Sequence, residues 1–238
     1  MSRLRAQDGM TLMEVLIAAT VGFIVIAGTL GLLESTMRLS GGVMAKTDAM
    51  QRGRLAMDRV TQQLRSQVCL NLTTPAIEAG ATADSVTFYS DFGTGDVPAA
   101  PHKRTLTFDT ATGNITESVL TGAGPSGGPY TYLTAPTKSI VFENAARQIK
   151  TVGAVTTTVP FLSYYAYEET GVPPVLRTTQ VLAPPLTAAQ AARVARIDIA
   201  FAARPTGARD AKDSTDIEDQ ITVRHADPNL TVPDPMCI

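Results

Sequence analysis

The chain has 238 residues and a formal net charge of −2, so no global basic field is available to attract nucleic acid. Aromatic residues make up only 5 % and Trp is absent, so a core must be built from Val, Ile, Leu, Ala and scattered Phe and Tyr. The two cysteines, Cys69 and Cys237, form no Cys-x-x-Cys pair, which argues against zinc and leaves a disulfide or two thiols.

The first element in chain order is an apolar run from Asp8 to Glu34 that carries Glu14 near its start. Val15 to Leu33 is free of charge over about 19 residues, close to the ~20 that a helix needs to cross a bilayer. Arg3 and Arg5 lie just upstream, which puts the N-terminus in the cytoplasm and everything after Leu33 outside. An ordinary signal peptide has a shorter apolar core followed by a small-x-small cleavage site. Here the run is longer, and the small residue that reads as a processing signal, Gly9, precedes it. Glu14 is costly in such a segment, roughly 2.5–3.5 kcal/mol at a helix centre and less near an end. Thr11-Leu-Met-Glu14 fits a capping box, which gives the carboxylate a local use. Gly22, Gly28 and Gly31 permit close helix approach.

The order of a polar leader ending in Gly9, then Met10, Thr11, Leu12, Glu14 and a membrane-length helix resembles the class III leader of type IV prepilins over residues 5–34. The resemblance implies cutting after Gly9 by a membrane aspartyl protease, the prepilin peptidase, and methylation of the new amine on Met10. It also implies that Glu14 attracts the N-terminal amine of a neighbouring subunit as each enters a filament. That role and the capping role can coexist. Met10 stands where major pilins usually carry Phe, and the Thr-Leu-Met-Glu order is closer to minor pilins and type II secretion pseudopilins. Major pilins often have a helix-breaking Pro in this region, and this chain has none.

Residues 1–9 therefore read as a leader, 10–33 as a transmembrane or filament-core helix and 34–70 as its amphipathic continuation. Val43, Met50, Met57, Val60, Leu64 and Val68 recur at the spacing of one helix face. Gly41-Gly42 weakens the helix by about 1 kcal/mol per Gly and is a hinge candidate. A coiled-coil dimer is the rival reading of this spacing and is weakened by Lys46 and Gly53 in the second seam, so the face is predicted to pack on a sheet.

Residues 71–238 read as a β-rich head. Strands are predicted at 84–90, at 104–120 as two strands around a turn at Thr110 to Asn114, and at 138–144, 161–167, 175–181, 194–203 and 216–225. A short helical turn is expected at 186–193, and loops at 93–101, 122–129, 171–174 and from Pro205 to Asp219. The fold class is α+β, with a long N-terminal membrane-spanning helix packed on a mainly antiparallel sheet. That matches the pilin fold the resemblance implies, and the long, loop-rich head resembles the larger minor pilins and pseudopilins of the PilW/PulJ kind.

Chemistry-bearing patterns are sparse. His102 and His225 have no neighbouring Cys or second His, and no nucleophile elbow, metalloprotease helix or phosphate loop is present. No enzyme activity, cofactor or metal is expected. Asp210, Asp213, Asp216, Glu218 and Asp219 read as a solvated acidic loop, with calcium as the alternative. Cys69, at the end of the amphipathic helix, and Cys237, after a Pro-rich tail, lie in a disulfide-permissive compartment. A bridge between them is expected, with a ceiling of about 5 kcal/mol; two separate thiols are the alternative.

Two function classes remain. The first is a structural subunit of a pilus or secretion filament, whose partners are the prepilin peptidase, other pilin or pseudopilin subunits and the cytoplasmic membrane. The second is an unprocessed, single-span membrane-anchored extracellular binding domain.

Overall fold

The computed structural model describes residues 11–70, 74–91, 100–125, 129–170, 175–206 and 214–223. The chain divides after Ala45 into two units, and helix α1 (Leu12–Arg65) contributes to both.

In the first unit α1 is exposed on every side. Phe23, Ile24, Val25 and Ile26, which point about 100° apart around a helix, are 74, 72, 59 and 55 % exposed. A helix in water hides an apolar stripe and shows a polar one. Residues 12–33 have no polar face to show, so this surface requires an apolar medium or other protein around it. Gly41 and Gly42 are both helical, so the glycine pair does not end the element.

In the second unit the same helix buries Ala49, Gly53, Ala56, Met57, Val60, Thr61, Gln63 and Leu64. The predicted face is thereby corrected. Met57, Val60 and Leu64 are on it, Val43 is 60 % exposed, and Met50 and Val68 are half-buried. The seam is completed by small residues because the helix lies very close to the sheet. A Cβ on Gly53 would collide with Cδ1 of Ile217 and approach the Ala203 Cβ to 3.0 Å.

Two antiparallel sheets form the head. The first has the order β1 (Ser85–Ser90), β2 (His102–Asp109), β3 (Asn114–Leu120), β6 (Thr137–Phe142). Its inward face carries Val86, Phe88, Leu106, Phe108, Ile115 and Phe142, in cross-strand register. The outward face carries Ser and Thr, with Ser85 bonded to Thr107 and Thr87 to Thr105. The β2–β3 turn falls where expected. Asp109 accepts from the Ala111 N–H and the Thr112 hydroxyl, and Gly113 at φ +71° is required, since a Cβ would sit 2.7 Å from the Ala145 carbonyl oxygen. A two-residue pair, β4 (Gly122–Ala123) with β5 (Thr131–Tyr132), lies between β3 and β6.

The second sheet has the order β11 (Val175–Leu182), β10 (Leu162–Thr170), β12 (Arg196–Ala203), β13 (Thr215–Thr222), with β7 (Ala145–Ala146) also on β12. Tyr164, Ile197, Ile199, Phe201, Ile217 and Ile221 face the core it shares with the first sheet and α1. Helix α2 (Ala188–Ala192) is short and held by a complete Thr187–Gln190 capping box. A hairpin of β8 (Ile149–Val152) and β9 (Val155–Thr158) turns at Gly153, φ +63°. It is fastened to β12 and β13 by the buried Gln148, which donates to the carbonyls of Phe201 and Ile217.

Candidate functional site

The site begins at the start of α1. The Glu14 N–H donates to the Thr11 Oγ1 at 3.3 Å and to the Thr11 carbonyl at 3.0 Å. Thr11 is thus an N-cap, and one arm of the expected capping box is in place. Glu14 itself is exposed in the first helical turn, where the helix dipole favours a negative group.

The polar side chains further along explain what sets Glu14 apart. Thr20 donates to the Ile17 carbonyl at 2.8 Å and Thr29 to the Ile26 carbonyl at 2.9 Å, so both hydroxyls are satisfied inside the helix. Such internal bonds remove the cost of carrying a hydroxyl into lipid. From Leu12 to Leu33 that leaves Glu14 as the polar side chain with no partner among the described residues. The segment is long and apolar enough to cross a membrane, and none of it is buried. The chain therefore carries a candidate membrane-spanning helix near its N-terminus.

The glycines of this stretch have no use within the described chain. A Cβ added to Gly22, Gly28 or Gly31 would meet nothing within 4 Å. Gly9 and Met10, the processing residues, lie outside the described residues, as does Cys237. Cys69 is half-buried just past α1, and no cysteine is free among the described residues.

Within the head, a charged clamp joins α1 to the first sheet. Glu117 on β3 is buried, 3 % exposed in its side chain, and takes two arginines. Arg59 of α1 reaches its Oε2 at 2.9 Å, and Arg104 of β2 bonds its Oε1. Arg59 also donates to Ser139 of β6, and Arg104 to Ser90 of β1 at 2.7 Å. One helix residue is thereby linked to all four strands of that sheet. On the other flank Thr61 donates to Asp219 of β13 at 2.8 Å. These polar contacts were not anticipated, although a lone Glu in the alternating β3 sequence "NITESVL" is the signal that points to them.

The remaining candidates have structural partners. His102 Nδ1 accepts from the Gly122 N–H, and His225 lies outside the described residues. Of the acidic run, Asp210 and Asp213 lie outside the described residues. Glu218 pairs with Lys150 at 2.7 Å and Asp219 with Thr61, on opposite faces of β13. No group of three or more metal-ligating side chains is found among the described residues.

No family model, curated protein or solved structure matches this chain.

Proposed function

We propose that the protein is a structural minor subunit, a minor pilin or pseudopilin, of a type IV pilus or a type II secretion-like filament. It is cleaved after Gly9 by a prepilin peptidase, methylated on the amine of Met10, and inserted in the cytoplasmic membrane with its head outside. It then enters the filament among other pilin or pseudopilin subunits and acts in assembly or priming. The observation that supports this reading most is the solitary carboxylate of Glu14. Every other polar side chain from Leu12 to Leu33 is satisfied within its own helix. A carboxylate kept there at a cost of a few kcal/mol needs a compensating cation. The amine that cleavage would create on a neighbouring subunit supplies one, and glycines without intrachain contacts leave room for helices to approach.

A second reading is a single-span, membrane-anchored extracellular binding domain whose leader stays in place. It is favoured by the Thr11 cap, which takes the backbone N–H of Glu14 within one chain and needs no second subunit. The variant Glu14→Ala separates the two. On the filament reading it is processed and inserted as well as wild type, because removing a carboxylate eases insertion, and its recovery in sheared filaments falls. Equal recovery of variant and wild type points instead to a local cap on a plain anchor.

A further inference from the structure

The second sheet carries on its solvent side a feature that the filament reading does not use. Strands alternate their side chains between faces, so the partners of the core residues Leu162, Ile199 and Ile221 are neighbours that point away from the core. Ser163, Asp198 and Gln220 are such residues, and they lie directly opposite one another across β10, β12 and β13. A hydroxyl, a carboxylate and an amide thus form one cross-strand row. The row floors an open cleft of about 490 Å³, bordered by Lys150 and Val159 at the base of the β8–β9 hairpin. That volume falls within the range of about 300–1,000 Å³ usual for small-ligand sites.

The charged groups bordering the cleft are already partnered. Lys150 is 2.7 Å from Glu218, and Arg196 is 2.9 Å from Asp198 while its guanidinium lies 3.9 Å over the Tyr165 ring. Asp219, the third carboxylate at the cleft, accepts from Thr61, so every charged group there already has a partner and neither an anion nor a cation meets a free counter-charge. An apolar ligand fits no better, because it would strand the side chains of Ser163 and Gln220 without water. These two have no side-chain partner among the described residues. Burial raises the Asp198 pKa, with Arg196 and the Tyr165 hydroxyl acting in the opposite direction. The carboxylate is therefore poorly solvated and gains from a new donor.

A ligand that is uncharged, rich in paired hydroxyls and apolar on one side meets all of these conditions. Planar carboxylate and amide groups take two adjacent hydroxyls at once, one as acceptor and one as donor and acceptor. Ala200 and Val159 offer a small apolar surface beside them for a face of C–H bonds. We propose that the cleft between the β8–β9 hairpin and the Ser163–Asp198–Gln220 row binds a neutral saccharide. This inference is independent of the filament reading.

The test uses the full-length protein in a detergent without a sugar headgroup, titrated calorimetrically with maltose, lactose, cellobiose and N,N′-diacetylchitobiose. Saturable binding of at least one, with a Kd of about 10 mM or tighter, is expected. The double variant Ser163→Ala/Gln220→Ala and the variant Asp198→Asn should each weaken it by about tenfold or more. Because Ser163 and Gln220 point away from the core, the double variant remains informative if Asp198→Asn fails to fold. Absence of saturation with all four sugars overturns the proposal, as does binding that neither variant alters. Glucuronate or glucosamine binding about tenfold tighter than any neutral sugar also overturns it, since the charged groups of the cleft would then not be held by their own partners.

Discussion

Residues 12–33 and 46–65 belong to one helix, yet small residues serve opposite purposes in the two stretches. In the first, Gly22, Gly28 and Gly31 face open space, and apolar side chains are exposed all round. In the second, Gly53 is filled by Ile217 and Ala203, and Ala49 and Ala56 are 0 and 4 % exposed. The second stretch is explained by the chain itself, since its small residues let a helix lie against a sheet. The first is explained by nothing the described chain contains. Its composition makes sense only with lipid, other helices, or both around it.

That contrast can be broken most severely at Glu117. Replacement by Ala leaves Arg104, itself only 13 % exposed, and Arg59 without their common carboxylate. Removing one partner of a buried ion cluster costs about 3–5 kcal/mol, and the urea midpoint of the head should fall accordingly while the helix signal of residues 12–33 persists. A midpoint unchanged from wild type would show that the clamp does not hold the second stretch in place.

A smaller effect is expected from overpacking at glycine. Gly53→Leu should cost about 1–3 kcal/mol through displacement of Ile217 and Ala203 and lower the same midpoint to match. Gly31→Leu should leave it where it was, because a side chain at that position meets no described atom. If both variants shift the midpoint equally, the distinction between the two stretches is lost. The smallest effect belongs to Thr11→Ala, which removes the N-cap and costs about 1 kcal/mol of local helix stability. Faster amide exchange confined to the first turn of α1 would register it, and exchange matching wild type would deny Thr11 the capping role.

Much of this architecture can be read from residue order. The membrane-length run, the cap at Thr11, the strands β1, β3 and β12 and the turn beginning at Thr110 are local patterns, and each forms where expected to within a few residues. The seam of the lower helix is different. Periodicity weighs large apolar residues, so it selected Val43 and Met50 and passed over Gly53 and Ala56, whose burial depends on how near the sheet comes. The β8–β9 hairpin escaped for a related reason. Its strands are four residues each and fully exposed, so no core-facing alternation marks them. The Arg59–Glu117–Arg104 clamp brings together residues 58 positions apart on helix and strand, and only the three-dimensional fold places them side by side. Glu14 stands at the other extreme. Its identity and position within the apolar run are plain in the sequence, and the structure adds that its neighbours' hydroxyls are already satisfied.

The central claim is that residues 1–9 are removed and that a new charged amine arises one helical turn from Glu14. Intact and tryptic mass spectrometry of the membrane-purified protein measures this directly. The account predicts a chain that begins at Met10 and carries one N-methyl group, and a Gly9→Val variant that retains the full leader. A wild-type protein still bearing MSRLRAQDG would contradict it and leave a single-span anchor in its place.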